Sequence, residues 1–322
     1  MKKVILTSVI VALSLLIIPL RNINNNLSDN VSVSAKADKV LKDEYTESQS
    51  EETFRIKTGD TVIEISAKDY ITGVVSAEMS YADNIEALKA QCVAAYSFAL
   101  CRKAERKNEE YDLTDSYKTD QSYLSIDALK EKWGENYEEN IKKIREAVND
   151  TYGERLVFEN QTALTLYHAV SSGVTNSCAD VFGSDKPYLT SVLCEEDKLS
   201  ANYKSVFSFN SDELTQKLSS LTEAKPSGDS LFSDIKRAKS GFIKSINYAG
   251  KEVSGSEVAR LLSLNSANFE IAFSDNSYTF TCIGHGHGVG MSQYAAGVMA
   301  QNGSDYKEIL ARFYPNTELK KF

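Results

Sequence analysis

Positive charge is in short supply in this chain. Lys and Arg number 36 against 45 Asp and Glu, which leaves a formal net charge of −9 over 322 residues. Nucleic-acid binding needs clustered basic side chains on the phosphates, so that partner class is disfavoured. The acidity reads as a solubility feature. Histidine is scarcer still, with His168, His285 and His287 the full set. The five cysteines, Cys92, Cys101, Cys178, Cys194 and Cys282, are an odd number and form no disulfide framework. None of their spacings is a zinc-finger pattern. Cys92 and Cys101 fall nine residues apart in a helical stretch, on opposite sides of the helix, and cannot bridge each other. No repeat or low-complexity run follows residue 52. What is present is ordinary globular composition, 42% hydrophobic and 25% charged, enough for one large domain or two moderate ones.

The N-terminus departs from that composition. Lys2 and Lys3 precede an uncharged run, Val4–Leu20, close to the roughly 17-residue minimum for spanning a bilayer. The small-x-small signal Ala35–Lys36–Ala37 lies far beyond the run, so residues 1–20 read as an uncleaved anchor, with a cleaved secretory signal as the alternative. The two lysines hold the N-terminus in the cytoplasm, which puts everything after Leu20 outside the membrane. Residues 21–52 are polar and read as a flexible tether.

From residue 53 the pattern becomes that of a folded domain. Phe54–Lys57 and Thr61–Ile65 flank Gly59–Asp60 and predict a hairpin. Lys68–Met79 and Ile85–Lys107 carry apolar residues at helical spacing, and Ile126–Val148 reads as a third, charged helix. Arg155–Phe158 and Ala163–Val170 read as strands around a turn at Glu159–Gln161, followed by an ordered loop over 171–187. Residues 205–265 mix the two signals and suggest a subdomain or insertion. They include a helix at Asp212–Leu221, a strand at Gly241–Tyr248 and a helix at Ser256–Leu264. Strands follow at Glu270–Phe273 and Tyr278–Ile283, then a glycine-rich loop, then helices from Ser292 and from the capping-box pair Asp305 and Glu308. Helices come first and strands dominate later, which gives the α+β class.

Several residues could carry chemistry. Glu78 lies seven residues after Ile71 and four after Val74, both intervals that return it to the apolar face of its helix. A carboxyl desolvated there favours the neutral acid, as a proton donor requires. The competing reading is a Glu that ends the helix with its carboxylate in water. In Gly284–Gly290, His285 and His287 would point the same way on an extended strand and suggest a metal site. A third ligand would have to come from His168, Cys178 or Cys194, and His168 with Cys178 is the pair to watch for zinc. No cysteine sits in an activating context, and Ser171–Ser172–Gly173 is not a nucleophile elbow.

Taken in order, three blocks resemble the stage II sporulation protein D family. They are Tyr70–Met79 with Glu86–Ala95, then Tyr167–His168 with Ser171–Ser172–Gly173 and Asp180–Gly183, and then Gly286–Tyr294. Val253–Ile271 resembles the family's segment before that last loop, and the resemblance spans residues 53–322. It implies a peptidoglycan lytic transglycosylase, with a helix-rich part packed on a strand-rich part around a glycan-binding cleft. Its catalytic acid would be Glu78. Gln91, Tyr96, His168, Ser171, Ser172, His287, Ser292, Gln293 and Tyr294 would line the glycan groove. No cofactor is required by that chemistry. The implied partners are glycan strands stripped of stem peptides, the amidase stage II sporulation protein P and the membrane protein stage II sporulation protein M. The implied location is the cell membrane at the sporulation septum. Relatives described as amidase enhancers suggest an alternative, a non-catalytic glycan binder. The chain departs from the family at Tyr96, where Arg is frequent, and at Ser172, Val174 and Ala295.

Overall fold

The computed structural model describes residues 52–80, 82–222 and 231–322. The expected anchor at 1–20 and almost all of the tether at 21–52 lie outside the described residues. Within them no helix is long and apolar enough to cross a membrane.

The hairpin forms as its alternation predicts. β1 (Thr53–Thr58) and β2 (Thr61–Ser66) pair antiparallel across Gly59–Asp60. Ser66 then caps α1 (Ala67–Glu78) by accepting the Asp69 N–H, and Asn84 caps α2 (Ile85–Glu105) by accepting the Glu86 N–H. β3 (Leu113–Thr114) joins β1 in parallel. The charged stretch expected to be one helix is two, α3 (Ile126–Trp133) and α4 (Tyr137–Thr151). Gly134 divides them, because its φ of 51° and ψ of −127° cannot be accommodated in a helix.

β4 (Glu154–Phe158) turns at Glu159 and Asn160, both at positive φ, into β5 (Gln161–Thr162). The long strand expected over Ala163–Val170 does not follow. Its polar groups bond elsewhere: the Leu164 N–H donates to the Tyr188 hydroxyl and the Thr165 hydroxyl to the Ala94 carbonyl. β6 (Tyr167–His168) resumes pairing, and Val170 forms an antiparallel bridge with His285. The loop expected over 171–187 contains a short helix, α5 (Cys178–Phe182), capped by Ser177 and ended by Gly183 at φ 69°.

A second core begins at β7 (Lys204–Asn210) and α6 (Ser211–Lys217). It continues through β8 (Phe232–Arg237), β9 (Ile243–Tyr248), β10 (Lys251–Val253), α7 (Gly255–Leu262), β11 (Phe269–Ser274) and β12 (Ser277–Ile283). Two three-stranded sheets, β10-β9-β8 and β11-β12-β7, bury Ile243, Ile246, Tyr248, Phe269 and Phe280 against Leu214, Val258 and Leu262. This lobe reaches past the expected limit near 265 because β12 is its central strand, paired with β11 on one side and β7 on the other.

The chain then returns to the first core through β13 (Met291–Ser292), α8 (Gln293–Gln301), α9 (Tyr306–Phe313) and β14 (Glu318–Lys321), the last pairing with β4. The Asp305–Glu308 capping box forms as the sequence predicts. At the centre lies α2, packed by α1, α4, α8, α9 and β4. Its Ala87, Ala90 and Ala94 have no bulk beyond Cβ, which lets these neighbours approach closely.

The closure that matters for the site is the parallel pairing of β6 with β13, Tyr167 opposite Met291 and His168 opposite Ser292. It depends on Gly290, which holds φ at +75° while a Cβ there would lie 1.9 Å from the Leu166 carbonyl oxygen. Replacing Gly290 with Ala adds that clash to the cost of left-handed backbone. The expected loss is about 2–4 kcal/mol of unfolding free energy. Urea unfolding of the variant reads this directly, and a loss below about 0.5 kcal/mol would contradict the close approach.

Candidate functional site

Glu78 is the last residue of α1 and its side chain is half-buried. It thus lies between the two readings of its sequence position, neither deep on the apolar face nor free in water. Its Oε1 accepts the backbone N–H of Ser122 at 3.1 Å. The next side chain along, Gln121, is buried and donates from Nε2 to the Tyr70 hydroxyl at 3.1 Å, while its Oε1 accepts the Tyr167 hydroxyl at 2.7 Å. Burial raises the Tyr167 phenol well above its ordinary pKa, and the nearby Glu78 charge raises it further, so Tyr167 stays protonated and acts as a donor. Gln91 lies beside Tyr167, its buried Nε2 without a hydrogen-bond partner. Gln91 is fully buried on α2, and its Oε1 accepts from Gln293 Nε2 at 3.4 Å.

Beside this group stands a histidine pair. His168 follows Tyr167 on β6, so its side chain leaves the opposite face. It is 4% exposed, and its Nδ1 lies 3.2 Å from the Val289 carbonyl. A carbonyl only accepts, so Nδ1 carries the proton and Nε2 is a bare acceptor, buried with no partner. The His287 Nδ1 accepts the Val289 N–H at 3.0 Å, which places its proton on Nε2, towards the Tyr167 backbone carbonyl. The two rings lie 5.9 Å apart, with Phe182 edge-on to His287 at 5.6 Å. Burial lowers His168 to about 3, helped by the neighbouring His287, and lowers His287 to about 4. His287 is half-exposed, whereas His168 is buried.

The serines serve the scaffold rather than an open surface. Asp197 is fully buried, and it accepts the Ser171 N–H at 2.7 Å and the Ser292 hydroxyl at 2.8 Å. Burial raises its pKa. Ser292 also caps α8 through the Ala295 N–H. The Ser172 hydroxyl turns to the Ser240 carbonyl at 2.9 Å, a link to the second core. Tyr294 is half-buried at the start of α8, its N–H bonded to the Ala169 carbonyl. Tyr96 is set apart from the group. It lies about 140° around α2 from Gln91, packed between Phe54 and Tyr152. Gln121, Ser122, Tyr167 and Asp197 were absent from the groove expected from sequence. Tyr167 belongs to the second of the ordered blocks, but nothing local marks the other three.

The residues expected as a metal pair sit in different settings. Cys178 is buried in the first core, its thiol raised by burial, and the ring beside His168 is that of His287. Among the described residues no three His, Cys, Asp or Glu side chains come together as metal ligands. His285 and His287 do not share a strand face either. Gly284, Gly286, Gly288 and Gly290 all take positive φ, which leaves His285 exposed and turns His287 inward.

The family model described as Stage II sporulation protein matches residues 56–158. Stage II sporulation protein D of Bacillus subtilis is 32% identical over 98% of this chain and 94% of its own length. The chain belongs to the stage II sporulation protein D family. A Bacillus amyloliquefaciens member is 32% identical over 81% of the chain and 76% of its own length. A more distant relative, the Bacillus subtilis amidase enhancer, is 25% identical over 78% of the chain and 40% of its own length. Family membership makes this a sporulation protein, and the blocks that carried the resemblance are those that meet around Tyr167.

The histidine pair gives a pH dependence. An unfolded histidine protonates near 6.5, whereas His168 in the fold does so only near 3. Between those values the unfolded chain binds more protons. The contribution is therefore complete above pH 6.5 and is lost as pH falls towards about 3. Replacing His168 with Gln should flatten the decline of urea-unfolding free energy from pH 6.5 to 4 relative to the parent. An equally steep decline would show that other groups account for it.

Proposed function

We propose that this chain is a peptidoglycan lytic transglycosylase that cleaves the β-1,4 bond between N-acetylmuramic acid and N-acetylglucosamine, with Glu78 as its acid and base. The observation that carries the reading is the isolation of Glu78. It is a half-buried carboxyl at a helix end, facing amide and phenol groups. The carboxylates on the segments that meet this group are committed elsewhere, and Asp83, five residues after Glu78, accepts the Ser80 N–H. Asp120 has both oxygens engaged by Arg102, Arg106 and Thr114, and Asp197 is fully buried. A glycoside hydrolase needs a second carboxylate to activate water or to form a covalent intermediate. A transglycosylase takes its nucleophile from the sugar.

In this mechanism Glu78 gives its proton to the glycosidic oxygen as the bond to the anomeric carbon breaks. The C6 hydroxyl of the same sugar attacks that carbon, and the Glu78 carboxylate removes the hydroxyl proton. No water enters, Glu78 is restored, and the product ends in a 1,6-anhydro ring. Being intramolecular, the attack gains from high effective concentration. Tyr167, Gln293 and Tyr294 supply polar and aromatic surface to sugar hydroxyls and ring faces. The setting is septal thinning in endospore formation, at the membrane, alongside stage II sporulation proteins P and M. The amidase-enhancer relative favours one other reading, a glycan binder that stimulates another enzyme.

Digestion of peptide-free glycan strands with the purified chain, followed by mass spectrometry, separates these readings. Anhydro-ended products are expected, and Glu78→Gln should lower kcat by about 100-fold or more. Reducing ends would indicate a hydrolase, no cleavage a binding protein, and an undiminished Glu78→Gln variant would remove Glu78 from the chemistry.

A further inference from the structure

Glu78 receives its Ser122 hydrogen bond from a segment with little regular structure, and the means by which that segment is held stands apart from the site. Residues 112–124 cross from the end of α2 to α3 and contain only the two-residue strand β3. Two residues before Ser122, the Asp120 side chain is fully buried. Its Oδ1 accepts from Arg102 Nε at 2.8 Å, and its Oδ2 accepts from Arg106 Nη1 at 2.9 Å. The Thr114 N–H and hydroxyl complete the set on Oδ2 at 2.8 and 2.9 Å.

Both arginines lie at the C-terminal end of α2, where the helix dipole favours cations. They also grip the segment's backbone: Arg102 reaches the Thr119 carbonyl and Arg106 the Asp112 carbonyl. Burial opposes a charge on Asp120, but the hydrogen bonds and charges of Arg106 and Arg102 outweigh it, and the carboxyl sits below its ordinary value. The group is thus an anion at neutral pH with both oxygens engaged.

The far side of the segment is equally closed. Gly73 on α1 lets it pass so closely that a Cβ there would lie 2.4 Å from the Leu124 carbonyl oxygen and 2.5 Å from the Tyr123 ring. Gln121 and Ser122 therefore sit between a charged clamp on α2 and a steric contact on α1. From that position they meet Tyr70, Tyr167 and Glu78.

We propose that Asp120 is a positioning residue: the Arg102–Asp120–Arg106 clamp fixes the segment that aims the Ser122 N–H at Glu78 and Gln121 at Tyr167. Asp120 touches no substrate. It transmits the position of α2, the most enclosed helix of the first core, to the reacting carboxyl at the end of α1. The inference rests on the transglycosylase reading only for its kinetic consequence.

The test follows the Ser122 amide signal by nuclear magnetic resonance through a pH titration of the full chain. In the parent, that signal should move with the titration of Glu78, and the movement should vanish in Glu78→Gln. In Asp120→Asn the movement should also vanish, while amides of the second core keep their shifts. Should Asp120→Asn fail to fold, Arg102→Gln removes one arm and leaves Arg106 and Thr114 in place, and the movement should fall to less than about half. On glycan strands, Asp120→Asn should lower kcat by about 10-fold or more with KM within about twofold, since a misplaced acid affects the transition state rather than binding. A folded clamp variant whose Ser122 signal follows Glu78 as strongly as in the parent overturns the proposal. So does a parent in which it never follows Glu78. A parent without transglycosylase products overturns the functional reading alone, because the amide readout still decides the clamp.

Discussion

The site depends on one short piece of parallel pairing, Tyr167–His168 against Met291–Ser292. It is only two residues long on each side, yet it joins chain segments more than a hundred positions apart. Everything on the loop before it, from Gly284 to Gly290, must reach the first core at that one level. The glycine at 290 is the condition for this, because the Leu166 carbonyl occupies the place of any side chain. Asp197 then secures both partners from behind, accepting from Ser171 on one and Ser292 on the other. A buried carboxylate is costly unless its oxygens are satisfied, and these bonds satisfy both. The pairing, the glycine and the buried acid form one support.

Around that support the polar groups divide by strand alternation. Tyr167 faces Gln121, Gln91 and the Glu78 side, and His168 faces Val289 and His287. The histidine side is uncharged over most of the pH range because burial disfavours protonation. The tyrosine side keeps its proton for the same reason, since burial disfavours phenolate. The Glu78 carboxyl therefore faces neutral donors and acceptors. That is the environment in which one group can serve as acid and then as base without competition.

The helical frame explains how a half-exposed carboxyl can still be precisely held. α1 ends at Glu78, and its Tyr70, Val74 and Val75 are buried against the first core. α2 is enclosed on several sides, with alanine at the closest contacts. Two rigid helices thus define the ends of the segment that carries Gln121 and Ser122, and its own lack of regular structure does not make it loose.

Much of the frame was legible in the residues. Ser66, Asn84 and Asp305 announce helix starts through local capping chemistry, and the hairpin at Gly59–Asp60 follows from alternation around a turn. Helical spacing and the ordered motifs also drew attention to Glu78, which the fold leaves half-buried at the end of α1 rather than deep on its apolar face. These are signals within a few residues, where the 3.6 and 2.0 periodicities act. What failed were inferences that needed a partner. Gly134 split a helix that periodicity alone continued, and Leu164 and Thr165 gave hydrogen bonds to Tyr188 and Ala94 rather than to a strand. His285 and His287, two apart, did not share a face because Gly286 between them takes positive φ, as do the glycines that flank them. Cys178 went to the core and Tyr96 to an aromatic cluster with Phe54 and Tyr152. The Ser122 amide, Gln121, Asp120 and Asp197 carry no local pattern at all. Their roles come from contacts that span up to 95 positions of chain, and only packing around α2 and the β6–β13 pairing brings those positions together.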